Sequence, residues 1–212
     1  MIRIVVADDH AIVREGLKRI VSAADDMELV GEAADGTEVM QRVRELSFDV
    51  LMLDLSMPGR SGMELIKLVH AEKPRLRILV LSMHQELQYA VRAIKSGASG
   101  YLTKESAPAL LEQAIRKLAV GGAFISAEVA EQLALGAMPG NETSPHESLS
   151  NREFEVFRLL VAGVSVTDIG LRLKLSVKTV SSHKANLTHK MGLQNQSELI
   201  RYALKHGLID AL

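Results

Sequence analysis

Five polar residues stand where a short apolar run gives way to a turn. Asp8 and Asp9 follow Ile2–Ala7, Asp54 follows Val50–Leu53, Ser82 follows Ile78–Leu81, and Lys104 comes one residue (Thr103) after Gly100–Leu102. If each run is a strand of one parallel sheet, these residues share its carboxyl edge, where open α/β sheets place their ligands. Three carboxylates crowded there repel one another unless a cation sits between them. Hard oxygen donors with room for water suit Mg²⁺. Singly, each residue has an ordinary reading: Asp9 as a helix cap, Asp54 as the start of a turn, Lys104 as a solvated lysine. Five of them on one edge are better explained together, as a pocket that gathers a divalent cation.

A second group lies near the C-terminus, where residues 166–191 read as helix, short turn, helix. At about 100° per residue, Leu187, Met191 and, less comfortably, Lys184 share a packing side with Val180. The opposite side carries Lys178, Ser182, Ala185 and His189, with Ser181 alongside. Small polar groups, a cation and an imidazole suit the wall of a DNA groove, whereas a core face would carry Leu or Ile. His183 falls near the packing side and reads as structural.

The elements that must position these groups are legible as patterns. The runs Ile2–Ala7, Leu29–Ala33, Val50–Leu53, Ile78–Leu81 and Gly100–Leu102 are near-continuously apolar, as strands buried on both faces are. Helical periodicity lies between them, at about Ala11–Ser22, Thr37–Leu46, Met63–Ala71, Glu86–Ser96 and Pro108–Val120. Alternation of this kind predicts an α/β fold with a doubly wound five-stranded parallel sheet over residues 1–122. A linker with one short helix, marked by Val129, Leu133 and Leu135, is expected over 123–148, its turn-rich part being Gly136–Ser148. Residues 149–212 predict a small all-α domain of four helices, near Asn151–Ala162, Val166–Lys174, Val177–Met191 and Gln196–His206. Ser150 and Glu153 have the spacing of a capping box at its start.

Composition fits two such domains. The chain has 212 residues, 25 Lys and Arg against 26 Asp and Glu, and a formal net charge of −1. Divided at position 148, it carries 16 cations against 21 anions in the first part, a net of −5, and 9 against 5 in the second, a net of +4. The absence of cysteine excludes disulfides, thiolate zinc sites and thiol nucleophiles, and 3% aromatics without Trp argue against base-stacking platforms. No apolar run approaches the roughly 18 residues of a membrane span. The N-terminal residues run into a strand without a signal-peptide layout. A cytoplasmic protein that does not enter membranes is the expectation.

The residues Asp8-Asp9-His10, Asp54 with Met57-Pro58-Gly59, Ser82, and Gly97-Ala98 followed by Gly100-Tyr101 and Lys104 resemble the receiver domain of bacterial two-component response regulators, a flavodoxin-like fold. The resemblance implies that Asp54 accepts a phosphoryl group from a sensor histidine kinase. It implies that Asp9, Asp54 and the Ser56 carbonyl bind Mg²⁺ directly, with Asp8 acting through water. Ser82 and Lys104 would bind the phosphoryl oxygens, and Tyr101 would turn into the space Ser82 vacates. Ser56 and His84 would flank the water that attacks the phosphoryl group. The face from Glu86 through Tyr101 would serve as a dimer or domain contact.

Leu149-Ser150, Arg152-Glu153, Gly163, Ile169, Leu173, Ser176-Val177, Thr179-Val180, His183, Asn186 and Lys190 resemble the LuxR-type helix-turn-helix domain. With the receiver, this is the layout of the NarL/FixJ class. By that resemblance helix 177–191 enters the major groove, Lys178, Thr179 and Lys190 touch phosphates, and Ser181, Ser182, Ala185 and His189 face base edges. Many relatives carry Asn-Lys-Glu where this chain has Val166-Thr167-Asp168, and some carry lysines where Ser181 and Ala185 stand, so DNA shape is expected to carry more of the specificity. Gln196–His206 closes the small core and, by resemblance, contacts a second copy. One reading helix per domain calls for two copies on paired half-sites.

The expected function is phosphorylation-controlled dimerisation and binding to promoter DNA, with RNA polymerase as a further partner that promoter control admits. An enzyme of the haloacid-dehalogenase phosphatase type is disfavoured, because that class expects a second Asp two residues after the first and Ser56 stands there. A regulator that ignores phosphate would lack part of the acidic set, which is complete here.

Overall fold

The structure is a computed structural model that describes residues 1–57, 62–83, 87–137 and 144–208. The chain forms two compact units, Met1–Ala137 and Met138–Leu212. In the first, strands β1 (Ile2–Ala7), β2 (Met27–Ala33), β3 (Val50–Asp54), β4 (Arg77–Ser82) and β5 (Gly100–Thr103) form a parallel sheet in the order β2-β1-β3-β4-β5. This is the doubly wound architecture that the alternating pattern predicts. The apolar runs follow from position: Val50, Leu51, Met52 and Leu53 in the middle of the sheet are all fully buried. On one face Ile4, Val6, Met52, Leu79 and Leu81 pack with Leu17 and Val21 of α1 (Ala11–Ser22) and with Leu111, Ile115 and Leu118 of α5 (Ala107–Ala119). Strand residues of the opposite parity, among them Val5, Leu51, Leu53 and Val80, are buried on the other side. There α2 (Gly36–Glu45), α3 (Gly62–Glu72) and α4 (Leu87–Lys95) complete the layer.

β2 starts at Met27, two residues before the apolar run suggests. It is an edge strand with a half-exposed middle, so Glu28 and Glu32 are tolerated within it. Its register with β1 slips between Ile4↔Leu29 and Val5↔Gly31, leaving Val30 as a bulge. Beyond the bulge, Arg42 Nε donates to the Glu32 carbonyl at 3.1 Å.

The stretch expected to begin the linker joins the sheet unit instead. Phe124 forms a one-residue parallel bridge on the outer side of β5, its N–H donating to Ser99 O at 3.1 Å and its carbonyl accepting from Tyr101 N–H at 3.0 Å. The chain then forms α6 (Ala127–Gly136), capped by Ser126, which packs against α4. Periodicity showed this helix but not the surface it covers. Of the rest of the expected linker, 138–143 lies outside the described residues, while Pro145–Ser148 makes a 3₁₀ turn in the second unit.

The second unit contains α7 (Asn151–Val161), α8 (Val166–Leu173), α9 (Val177–Met191) and α10 (Gln196–Lys205) around Phe154, Phe157, Ile169, Val180, Leu187 and Leu199, all buried. Each helix begins at a side-chain cap: Ser150, Ser165, Ser176 and Asn195 all accept a backbone N–H from the following turn. The capping box of Ser150 and Glu153 is formed as the spacing predicts.

Gly100 leaves room for the Phe124 bridge. A Cβ there would lie 3.0 Å from Leu79 Cδ1 and 3.1 Å from the Phe124 carbonyl oxygen. Gly100→Val is expected to cost about 1–3 kcal/mol, the usual penalty of overpacking, and to speed hydrogen exchange at the Phe124 and Tyr101 amides. Exchange followed by mass spectrometry checks this; undiminished protection at both amides would show that the neighbours yield instead.

Candidate functional site

The sheet order places β1 beside β3, with the chain departing to opposite sides from β1. That switch opens a crevice beyond their carboxyl ends, and the sequence fills it with acid. Asp8 follows β1 and Asp54 ends β3, and both are almost fully buried. Lys104, just past β5, reaches in from the side and donates to Asp8 Oδ2 at 2.6 Å and Asp54 Oδ2 at 2.9 Å. The remaining oxygens are held by backbone: Asp8 Oδ1 accepts from His10 N–H at 2.9 Å, and Asp54 Oδ1 from Ser56 N–H at 3.1 Å. Arg14 NH1 donates to the Asp8 carbonyl at 2.8 Å and steadies the turn into α1. Lys104 is itself anchored by its N–H on the Ser82 carbonyl, 2.8 Å away.

Asp9 completes the cluster. Single ligand atoms of Asp8, Asp9, His10 and Asp54 all lie within 4.8 Å of one another. Asp9 Oδ1 is buried and accepts no hydrogen bond; His10 Nδ1 is 2.8 Å away, but without the alignment a hydrogen bond needs. Three carboxylates against one ammonium leave the pocket two negative charges in excess. A buried acceptor without a donor, among three carboxylates with that excess charge, fits a divalent cation. Burial, and secondarily the nearby Asp8 charge, pushes the Asp54 carboxyl above the usual carboxylate range, against the pull of Lys104 and the Ser56 N–H. For Lys104 burial works against the ammonium, yet bonds to Asp8 and Asp54 outweigh it and hold the pKa above the ordinary lysine value.

Ser82 is fully buried at the end of β4 and pairs in register with Thr103. Tyr101 is buried in β5 opposite Val80. Ser56 is exposed just beyond Asp54. Pro58, Gly59, His84 and Glu86 lie outside the described residues.

In the second unit, α8 and α9 form the expected helix-turn-helix. Val180, Leu187 and Met191 are the buried side of α9, and His183 and Lys184 lie half-buried beside them. Lys178, Ser181, Ser182, Ala185, His189 and Lys190 are exposed, and Thr179 is half-buried. Two of these hydroxyls are engaged locally: Thr179 Oγ1 lies 2.7 Å from the capping Ser176 Oγ, and Ser182 Oγ donates to Lys178 O at 3.1 Å. Lys190, expected on DNA phosphate, donates to Glu153 Oε2 at 2.7 Å, so its charge is already met within the domain.

Glu153 and its neighbour Arg152 were not singled out as site residues by the sequence beyond the capping box, yet they position the reading unit. Glu153 ties α7 to the far end of α9. Arg152 NH2 donates to Leu173 O at 2.6 Å, satisfying a terminal carbonyl of α8. The capping motif was the local signal; the partners lie 21 and 37 residues away and leave none. Burial opposes ionisation of Glu153, but Lys190 and the donors of Ser150 prevail and hold its pKa below the usual glutamate value.

A lowered carboxylate pKa stabilises the fold above the ordinary value of 4.5, and that contribution is lost as pH falls through the folded value. Glu153→Gln keeps acceptor and shape and removes the charge. The variant is expected to be about 1–2 kcal/mol less stable at neutral pH, in the range of charge-assisted bonds. The gap to wild type should close as pH drops below 4.5; denaturant unfolding across pH measures it, and a gap independent of pH would contradict the pairing.

Comparison with known proteins gives two family matches: the response regulator receiver domain over residues 4–116, and bacterial regulatory proteins, luxR family, over residues 147–203. Response regulator GacA of Pseudomonas viridiflava is 35% identical over 212 residues, spanning 100% of this chain and 99% of that protein. Oxygen regulatory protein NreC of Staphylococcus aureus is 37% identical over 215 residues, spanning 98% and 99%. Among solved structures, RcsB of Salmonella enterica serovar Typhimurium, bound to a promoter in the presence of phosphomimetic BeF₃⁻, has 31% identity, a TM-score of 0.62, and coverage of 95% of this chain and 98% of its own. No described helix is long and apolar enough to cross a membrane.

Proposed function

The chain belongs to the NarL/FixJ-type two-component response regulators, a receiver joined to a LuxR-type DNA-binding domain, and from that premise we propose that phosphorylation of Asp54 by a sensor histidine kinase controls its dimerisation and its binding to promoter DNA. It is a transcription regulator and not an enzyme. The observation that carries the proposal is the buried Asp54 carboxylate at the end of β3, held by Lys104 beside Asp8 and an Asp9 oxygen that lacks a donor.

In this reading an Asp54 carboxylate oxygen attacks phosphorus, the bond to the kinase imidazole nitrogen breaks, and that nitrogen keeps the electron pair. Asp9, Asp54 and the Ser56 carbonyl would hold Mg²⁺, with Asp8 acting through water, and the ion would supply positive charge against the phosphoryl oxygens. Lys104 exchanges its bond to Asp54 for one to a phosphoryl oxygen. The Ser82 hydroxyl donates to another, and Tyr101 turns inward behind it. New charge-assisted bonds to a dianionic group shift the population between two packings of β4, β5 and α4. Exposed Lys178 then contacts phosphate, with Thr179 beside it, while Ser181, Ser182, Ala185 and His189 face base edges. Two copies read paired half-sites, and RNA polymerase is met at the promoter. The protein works in the cytoplasm, the compartment that holds its DNA.

Two measurements test this. Acetyl phosphate with Mg²⁺ should label the wild type and leave Asp54→Ala unlabelled; equal labelling of the variant would move the phosphoacceptor elsewhere. Selection of binding sites from random DNA should return paired half-sites with acetyl phosphate and weaker or no enrichment without it. Indifference to the phosphodonor would remove the switch.

A further inference from the structure

Among the described residues six backbone positions have positive φ, and five of them are glycine: Gly97, Gly121, Gly163, Gly192 and Gly207. The sixth is Lys174, at φ 54° and ψ 43°, which ends α8 and opens the turn into α9. In the same unit α7, α9 and α10 are each followed by a glycine at positive φ. Only the helix leading into the turn keeps a side chain there. The left-handed region is disfavoured for any residue with a Cβ, and a residue held in it invites the question of what its side chain contributes.

Contacts within the chain do not supply the answer. Lys174 is exposed, and among the described residues its ammonium has no hydrogen-bond or ion-pair partner. The ammonium does not cap α8, because Arg152 takes the Leu173 carbonyl and the backbone N–H groups of Lys174 and Leu175 take those of Leu171 and Gly170. The cations near the helix-turn-helix differ in what they hold. Arg152 and Lys190 are committed to Glu155, Leu173 and Glu153. Arg172, Lys174 and Lys178 are exposed within one short stretch that brackets the start of α9.

We propose that Lys174 binds a DNA phosphate beside the start of α9, next to Lys178, and that this contact is what a lysine gains at a position glycine would occupy without strain. The proposal rests on α9 being the helix that reads DNA.

The test uses the full-length protein and a labelled mixed-sequence duplex about three helical turns long, titrated by fluorescence anisotropy over a series of KCl concentrations. Lys174→Gly and Lys174→Asn both suit a left-handed backbone and remove the charge; Lys174→Arg keeps it. The expected result is several-fold weaker binding for Gly and Asn, with the slope of log K against log salt reduced by about 0.9, the value of one phosphate contact. The Arg variant should behave as wild type, and the Gly variant should melt no lower. Weaker binding with an unchanged slope would mean a structural role and overturn the proposal. So would wild-type affinity in both neutral variants. If Lys178→Ala lowers the slope while those variants do not, the proposal alone fails. If wild type does not bind DNA, the reading of α9 fails and this proposal with it.

Discussion

One ammonium group holds together two carboxylates that the fold has taken out of water. Lys104 reaches Asp8 and Asp54 at 2.6 and 2.9 Å, and without it the ends of β1 and β3 would bring like charges together in a dry crevice. The arrangement is nonetheless left short of positive charge, because Asp9 adds a third carboxylate at the rim. Such a set of buried oxygens, short of positive charge, suits a divalent cation. The same Lys104 is anchored by its backbone to Ser82, so a change in what its side chain holds is felt where β4 ends. The pocket and the strands that would report on it are joined through this residue.

The second unit solves a different problem with similar means. Four short helices offer little apolar area, so caps and a few long-range polar bonds fix the angles that packing leaves loose. Adjacent residues in the first turn of α7 do most of this: Arg152 closes α8, and Glu153 holds α9 through Lys190. The face of α9 that looks outward is thereby set by α7, which packs directly against it. Charge also divides by task, with −5 up to position 148 and +4 beyond it, which the near-neutral total conceals.

The architecture and the acidic set were legible because each strand announces its end: an apolar run stops and a carboxylate, hydroxyl or lysine follows. Caps were legible for the same reason, since Ser150 and Glu153 are three residues apart. What was not legible depends on which surfaces meet. α6 has a periodic pattern, but nothing in it names α4 as its neighbour. Phe124 is one aromatic among Gly and Ala, and its bridge to Gly100 is made by backbone atoms common to every residue. The bond of Lys190 to Glu153 was not legible because the partners are 37 residues apart. The left-handed backbone at Lys174 is equally silent, as the residue type argues against it.

The bridge at Phe124 and the Arg42 bond to Glu32 bear on a hazard of every open sheet. Unpaired strand borders are templates on which other chains can polymerise. Here the outer border of β5 is bridged at Gly100 by the protein's own Phe124, and α6 follows and packs on α4. The border of β2 is kinked at Val30 and has a guanidinium seated on its carbonyl. With β5 bridged at Gly100 and β2 bulged at Val30, both borders are poorer templates for strand-to-strand aggregation.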